Sequence, residues 1–205
     1  MNAEPRRVVM ATGNKAKLAE IRPLLDGSGI VVCAQSEFDF RPADETGQTF
    51  LENALLKARA AATATGLIAI ADDSGLCVDA LDGRPGVHSA RFAGANATDA
   101  DNVDKLLQQM QAVDDDRRGA AFHCAAVAVF PEESQDPLIA SGEWRGQIAA
   151  TRSGNSGFGY DPVFVDPQFG KSAAEMTAEQ KNARSHRGQA FRQLKDLLLA
   201  ALAAR

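Results

Sequence analysis

Apolar positions recur along this chain with two different periods, and the switches between them set out its elements. Arg7 to Ala11 (RVVMA) is a short apolar run of strand type, whereas Lys15 to Leu25 (KAKLAEIRPLL) carries Leu18, Ile21, Leu24 and Leu25 at helical spacing. The link between them, Thr12-Gly13-Asn14, is tight. Thr49 to Glu52 (TFLE) is a capping box that opens an alanine- and leucine-rich helical pattern through Ala62, ended near Gly66. Leu67 to Ala71 (LIAIA) then predicts a second buried strand running into two aspartates. Strand, helix, strand is the α/β signature.

After the turn Gly83 to Gly86 (GRPG) and the stretch Val87 to Gly94, Thr98 and Asp101 form a second cap for a helix through Met110. Its apolar positions are Val103, Leu106, Leu107 and Met110. Gly119 to Phe130 and Leu138 to Trp144 read as adjacent strands joined by the polar loop PEESQD, an antiparallel hairpin that makes the sheet mixed. A Gly/Ser-rich stretch, Arg152 to Gly159, leads into Tyr160-Asp161-Pro162 and the apolar run VFV; such glycine density suits a loop that approaches a ligand. The remainder opens with a Thr177/Gln180 cap, is interrupted near Ser185 to Gly188, and closes with the leucine-rich helix DLLLAALAAR.

At 205 residues, with 45% hydrophobic and 24% charged residues, the chain has the composition of a folded protein with a substantial core, and residues 1–205 could form one large domain or two lobes sharing a core, between which length does not choose. A net charge of −5 argues against a protein that coats nucleic acid, so any anionic ligand must be met by a local basic cluster. Cys33, Cys77 and Cys124 are too few and too scattered for a disulfide framework, and their apolar surroundings predict buried free thiols. The N-terminus has no apolar segment with a cleavage site, and no run of 18 apolar residues occurs. A reducing cytoplasm and no membrane partner are the expectation.

Asp72-Asp73-Ser74-Gly75 follows directly on an apolar strand, which predicts two carboxylates and a hydroxyl at the sheet's end, where α/β proteins bind ligands. A carboxylate there suits both Mg²⁺ and a water to be deprotonated. The same four residues alone suit a turn equally well. Thr12, Gly13, Asn14, Lys15, Ala16 and Lys17 sit at a strand-to-helix junction, where free amides, the helix dipole and two lysines favour an anion. A Walker loop is absent: the GKS at Gly170 to Ser172 has Val165 where the first glycine should be. Glu45, just ahead of the capped helix, is a candidate second metal oxygen, with Asp44 and Glu52 as competitors; Glu52 has a capping duty already. Lys57 in that helix is within range of a phosphate. Phe158, Gly159, Tyr160 and Asp161 combine a ring, a close-approach glycine and a carboxylate, a set suited to a base and its ribose. His186 and Arg187 offer donors to a keto oxygen, with Lys181 upstream of them. His88 and His123 read as structural or incidental.

Five segments in register, ATGNKAKLAEI, ETGQTFLENALLKA, ADDSGLCVDALDGRPGVHSARFAG, GFGYDPVF and EQKNARSHRGQAF, together resemble the inosine triphosphate/xanthosine triphosphate pyrophosphatase family. The resemblance covers nearly the whole chain. It implies a long mixed sheet flanked by helices, two lobes with the nucleotide in a cleft between them, a homodimer, and hydrolysis of ITP, dITP or XTP to the monophosphate and pyrophosphate. By position, Thr12 to Lys17 and Lys57 would cradle the triphosphate, and Asp73 would be proton acceptor and Mg²⁺ ligand with Glu45. Ser74, Phe158, Gly159, Tyr160, Asp161, Lys181, His186 and Arg187 would complete the nucleotide site. Two positions depart from the family pattern: His88 stands where an aromatic is expected, and Arg184 where an apolar residue commonly precedes Ser185-His186-Arg187. Two alternatives stay open at this level: a pyrophosphatase for another modified nucleotide, and a nucleotide-binding regulatory module without turnover.

Overall fold

The computed structural model describes residues 6–132 and 135–204; residues 1–5, Glu133 and Ser134 of the PEESQD loop, and Arg205 lie outside the described residues. The strands are β1 (Arg6–Met10), β2 (Ile30–Ala34), β3 (Ile68–Val78), β4 (Gly119–Val129), β5 (Leu138–Ile148), β6 (Phe164–Asp166) and β7 (Lys171–Ser172). The helices are α1 (Lys15–Leu25), α2 (Phe50–Thr65), α3 (Asp99–Gln109), α4 (Ala178–Arg184) and α5 (His186–Ala203). One seven-stranded sheet runs in the order β2-β1-β3-β4-β5-β6-β7. Its first strands are parallel, with Val8 opposite Val32 on one side and Ile68 on the other. β5 and β6 pair antiparallel at Ile148 and Phe164, as do β6 and β7. The sheet is therefore mixed, in an α/β fold.

The chain divides into two compact units. One takes in the chain up to Asp73, Cys124–Gly142, and the chain from Arg187 onward; the other takes in Ser74–His123 and Glu143–His186.

In the first unit both faces of the central strands β1, β3 and β4 contribute buried side chains, as in a sheet covered by helices on both sides. Period-two alternation assigns the side chains. Val8, Met10, Ile70, Ala126 and Ala128 pack with Ile21 and Leu25 of α1 and with Phe191, Leu194 and Leu198 of α5. Val9, Ala69, Ala71, Val127 and Val129 belong to the other cluster, against Ala54, Ala58, Ala61 and Ala62 of α2. Thr49 caps α2, accepting from the Glu52 amide at 3.1 Å, and the helix stops at Gly66 with φ of 66°, a left-handed cap that glycine adopts without strain. In the second unit Leu76, Val78, Phe122, Trp144 and Phe164 close on Val103, Leu106 and Met110 of and beyond α3. Buried Arg118 donates to the carbonyls of Ile148, Met110 and Ala149 at 2.7, 2.8 and 3.1 Å, which ties the end of α3 to the end of β5.

Several expectations need correction. β2 was not anticipated, because IVVCA is a five-residue run with an exposed Val31, too short to separate from loop by periodicity. β3 does not end at Ala71 but continues through Asp72, Asp73 and Ser74 to Val78, so these residues form no turn. Their low strand propensity is overridden by ion pairs described below. β5 runs on past Trp144 to Ile148. Ser185 breaks the helical run for a single residue and α5 starts at His186, so DLLLAALAAR is only its last part. Cys33 and Cys124 are buried free thiols, but Cys77 is half-buried, since it projects from β3 opposite the core-facing Leu76 and Val78.

Candidate active site

Adjacent aspartates on one strand point to opposite faces. Asp72 continues the face of Ile70, and Asp73 the face of Ala71. The consequence is two different carboxylates.

Asp72 is wholly buried and sits in a cage of positive charge within the first unit. Lys17 Nζ lies 3.1 Å from its Oδ2, and Arg187 donates to the same oxygen from Nε at 3.4 Å and a terminal nitrogen at 3.3 Å. Arg187 also donates to Glu20 at 2.6 Å. Burial pushes the Asp72 carboxyl up, but Lys17, Arg187 and Lys57 outweigh it and hold the group well below the usual carboxylate range. Burial lowers the Arg187 guanidinium, and Asp72 with Glu20 more than restores it, so this pair stays ionised.

Asp73 meets a sparser set. Asn53 of α2, itself fully buried, donates to Asp73 Oδ2 at 3.1 Å while its own carbonyl accepts from the Gly47 amide at 2.8 Å. Lys57, one turn along, places Nζ 2.7 Å from Glu45 Oε1 and 3.5 Å from Asp73 Oδ1. Here burial dominates and Glu45 adds repulsion, so the Asp73 carboxyl is raised despite Lys57, Lys17 and the Asn53 hydrogen bond. A raised carboxyl is a better proton acceptor than an ordinary one near neutral pH. Lys57 is lowered by burial and raised by Asp73, Asp72 and Glu45, with a net rise.

The donor set around Lys57 also fits a hard divalent cation, because Glu45 and Asp73 already share one positive charge between carboxylate oxygens. Among the described residues no three His, Cys, Asp or Glu side chains converge. Mg²⁺ is commonly held by one or two carboxylates plus substrate phosphates, which is the number this pair supplies. The competitors have other duties: Glu52 accepts from the Gln48 and Thr49 amides at 2.7 and 3.1 Å, and exposed Asp44 pairs with Arg41 at 3.4 Å.

Asn14 caps α1, its side chain accepting from the Ala16 and Lys17 amides at 2.9 and 3.1 Å, while its own amide donates to the Thr12 hydroxyl at 3.2 Å. Gly13, Asn14 and Lys15 are exposed at this helix start. The turn thus presents a positive helix end and the Lys15 ammonium to an anion, with Lys17 turned to Asp72.

In the second unit the glycine-rich loop is organised by Asp161. This buried carboxylate accepts from the Phe158 amide at 2.8 Å and from Lys181 Nζ at 2.5 Å, and Lys181 stands 5.1 Å from the centre of the Phe158 ring. Gly157, at φ of 77°, leaves room for it: a Cβ there would lie 2.0 Å from Asp161 Oδ2. The Gly159 amide donates to Asp99 at 2.7 Å, and buried Tyr160 donates its hydroxyl to the Ser89 carbonyl at 2.9 Å. Phe158, Asp161 and Lys181 therefore come together, with Tyr160 anchoring the loop beneath them. Ser74 is half-buried in β3. His186 is buried and stacks on Phe122 at 4.8 Å and 9°. Its chain neighbour Arg187 goes elsewhere, to Asp72 and Glu20.

Asn53 and Glu20 were missed as site residues, and Asp72 was picked out beside Asp73 but given no role of its own. Asn53 carried a readable signal: it falls on the buried stripe of α2 at i, i+4 from Lys57, and a polar residue on an apolar stripe is informative. Glu20 carried none, since its partner is far away in sequence.

Carboxylates and lysines at the start and middle of an α/β sheet, beside a helix-capped anion turn, suit an enzyme that acts on a phosphoric anhydride. Residues 8–197 match the Ham1 family model, and the chain belongs to that family. It is 53% identical over 193 residues to a dITP/XTP pyrophosphatase of Pectobacterium atrosepticum, covering 94% of this chain and 98% of that one. Its fold is similar to a solved HAM1 protein of Coxiella burnetii, with a TM-score of 0.87, 48% identity, and coverage of 95% and 99%. A Staphylococcus aureus Ham1 protein superposes with a TM-score of 0.82 at 39% identity, covering 97% and 99%. Among the described residues no helix is long and apolar enough to cross a membrane.

Proposed function

We propose that this chain, acting as one catalytic domain, hydrolyses the non-standard purine nucleoside triphosphates ITP, dITP and XTP to monophosphate and pyrophosphate. This removes them from the pool that feeds DNA and RNA synthesis. The observation that carries the reading is the Glu45–Lys57–Asp73 cluster, a raised carboxylate beside a cation on the buried face of β3. Glu45 and Asp73 would hold Mg²⁺, which when bound neutralises charge on the triphosphate.

Asp73 takes a proton from water, whose oxygen attacks the α-phosphorus; the bond from that phosphorus to the bridging oxygen breaks, and pyrophosphate leaves with the electron pair. Lys57, Lys15, Lys17 and the amides of the Thr12-Gly13-Asn14 turn stabilise the departing anion. Phe158 stacks the base, with Gly159, Tyr160 and Asp161 shaping its loop and Lys181 supporting the ring, and Ser74 contacts the substrate. His186 reads the 6-oxo group. Arg187 keeps Asp72 ionised and so fixes Lys17. A donor facing O6 accepts hypoxanthine and xanthine but meets a second donor in adenine, and one unpaired buried polar group costs about 1–3 kcal/mol.

Initial rates of pyrophosphate release from ITP, XTP, dITP, GTP and ATP, with and without Mg²⁺, test this. Rapid release from the first three only with Mg²⁺, and slow release from ATP, is expected; ATP turned over as fast as ITP would sink the keto-recognition argument. A homodimer in the cytoplasm follows from the family resemblance, and sedimentation equilibrium giving the mass of one chain would remove the dimer.

A further inference from the structure

One carboxylate braces His186 from two directions. Asp166 at the end of β6 is wholly buried. Its Oδ1 accepts from the amides of Gln168 and Phe169 at 2.7 and 3.0 Å, and its Oδ2 from Trp144 Nε1 at 2.7 Å and Arg184 Nε at 3.0 Å. Arg184 is the last residue of α4, two positions ahead of His186. Trp144 stands edge-on to Phe164 at 4.8 Å and lies 6.5 Å from the His186 ring at 20°, alongside the Phe122 that stacks on that ring. The path of the backbone into His186 and the aromatic wall behind its imidazole thus end on the same oxygen, Asp166 Oδ2.

We propose that Arg184, through Asp166, is a positioning residue for His186 and so sets how tightly a 6-oxo purine is held and how well adenine is rejected. The proposal rests on the reading of His186 as the base-facing residue. A guanidinium donates along fixed directions, so its pairing with a buried carboxylate fixes the rotation of the last turn of α4 as well as its distance. Tolerance of the base site to small displacements is low, because a hydrogen bond to O6 is steep in angle and length.

The fold withstands removal of this contact, since Asp166 keeps three donors and the Arg184 side chain is 36% exposed. The test compares native enzyme with Arg184→Met, Arg184→Lys, His186→Gln and the Met/Gln double variant. Steady-state kinetics on ITP and ATP are measured alongside the emission of Trp144, the single tryptophan of the chain. Arg184→Met is expected to raise KM for ITP about three- to tenfold with kcat within about twofold, and to erode the ITP-over-ATP preference by a similar factor. It should also shift the Trp144 emission. Arg184→Lys should restore most of each change, and the double variant should be no worse than His186→Gln. Native KM and preference in Arg184→Met, with both lost in His186→Gln, overturns the proposal and leaves the reading of His186 standing. If His186→Gln itself keeps the native preference, that reading fails and the proposal falls with it. An equal loss on ITP and ATP with a lowered melting temperature assigns Arg184 a purely structural part and also overturns it.

Discussion

On the proposed function, the two units would meet different recognition problems with different materials. In the first, the residues of interest are charges and one amide: Asp72, Lys17, Arg187 and Glu20 on one face of β3, and Asp73, Lys57, Glu45 and the neutral Asn53 on the other. In the second they are rings and closed loops: Phe158 under Lys181, Tyr160 tied to Ser89, and His186 on Phe122. Charge would suit a triphosphate, whose interaction energy is Coulombic and reaches several ångströms. Rings would suit a base, whose recognition is stacking plus a few directional donors. The lesson is that substitutions in the first unit should strike turnover and stability, whereas those in the second should strike affinity and choice of base.

The largest expected effect tests the first half of that contrast. Asp73→Asn should lower kcat on ITP by about 10²- to 10⁴-fold, as loss of a general base does. Because the environment raises the Asp73 carboxyl, the same variant should melt no lower than native at neutral pH. A marked fall in melting temperature would show Asp73 to be a structural ion instead. Asp72→Ala should do the reverse, costing about 3–5 kcal/mol of stability in urea denaturation by leaving Lys17 and the buried Arg187 without their shared carboxylate. A loss under about 1 kcal/mol would show the cage to be loosely held.

The second half of the contrast is sharpened by Phe158→Ala. Stacking of a base is worth about 1–3 kcal/mol, so KM for ITP should rise about tenfold with kcat nearly unchanged. A fall in kcat without a change in KM would blur the division between the units.

The smallest effect is in pH dependence, measured in EDTA to keep metal out of the balance. Asp72 titrates below its ordinary value of 3.8 in the native protein, so its stabilising contribution is complete above that value and is lost as pH falls through the lower native one. Asp73 has the opposite sign. Raised in the native protein, its ionised form is a liability at neutral pH that fades as pH falls through the raised value. Urea melts of Asp72→Asn and Asp73→Asn from about pH 7 to about pH 3 should therefore diverge from native in opposite directions at the upper end; toward the lower end Asp73→Asn should approach native, whereas Asp72→Asn should stay less stable, because native Asp72 is still ionised there. Parallel behaviour of the two would mean that they share one environment.

Much of this was legible in the sequence. Helix α1 has the predicted bounds, Thr49 and Thr98 cap as their spacing requires, and the strand patterns locate β1, β4 and β5. Capping and periodicity are local, so sequence carries them. The extent of β3 was hidden for a physical reason: Asp and Ser disfavour strands locally, and what keeps them there are partners as distant as Arg187. The split of His186 and Arg187 into different surroundings was hidden likewise, because it follows from where α5 begins.

The length of β3 has a consequence for how this gene tolerates change. Eleven residues in continuous strand place Asp72 and Asp73 on alternate faces, so parity is part of the encoded information. An in-frame loss or gain of one codon between Ile68 and Asp72 would turn each of the two carboxylates to the opposite face of the sheet while both remained in the sequence. This stretch is therefore intolerant of single-residue insertions and deletions, even where conservative replacements at Ile70 or Ala69 would pass.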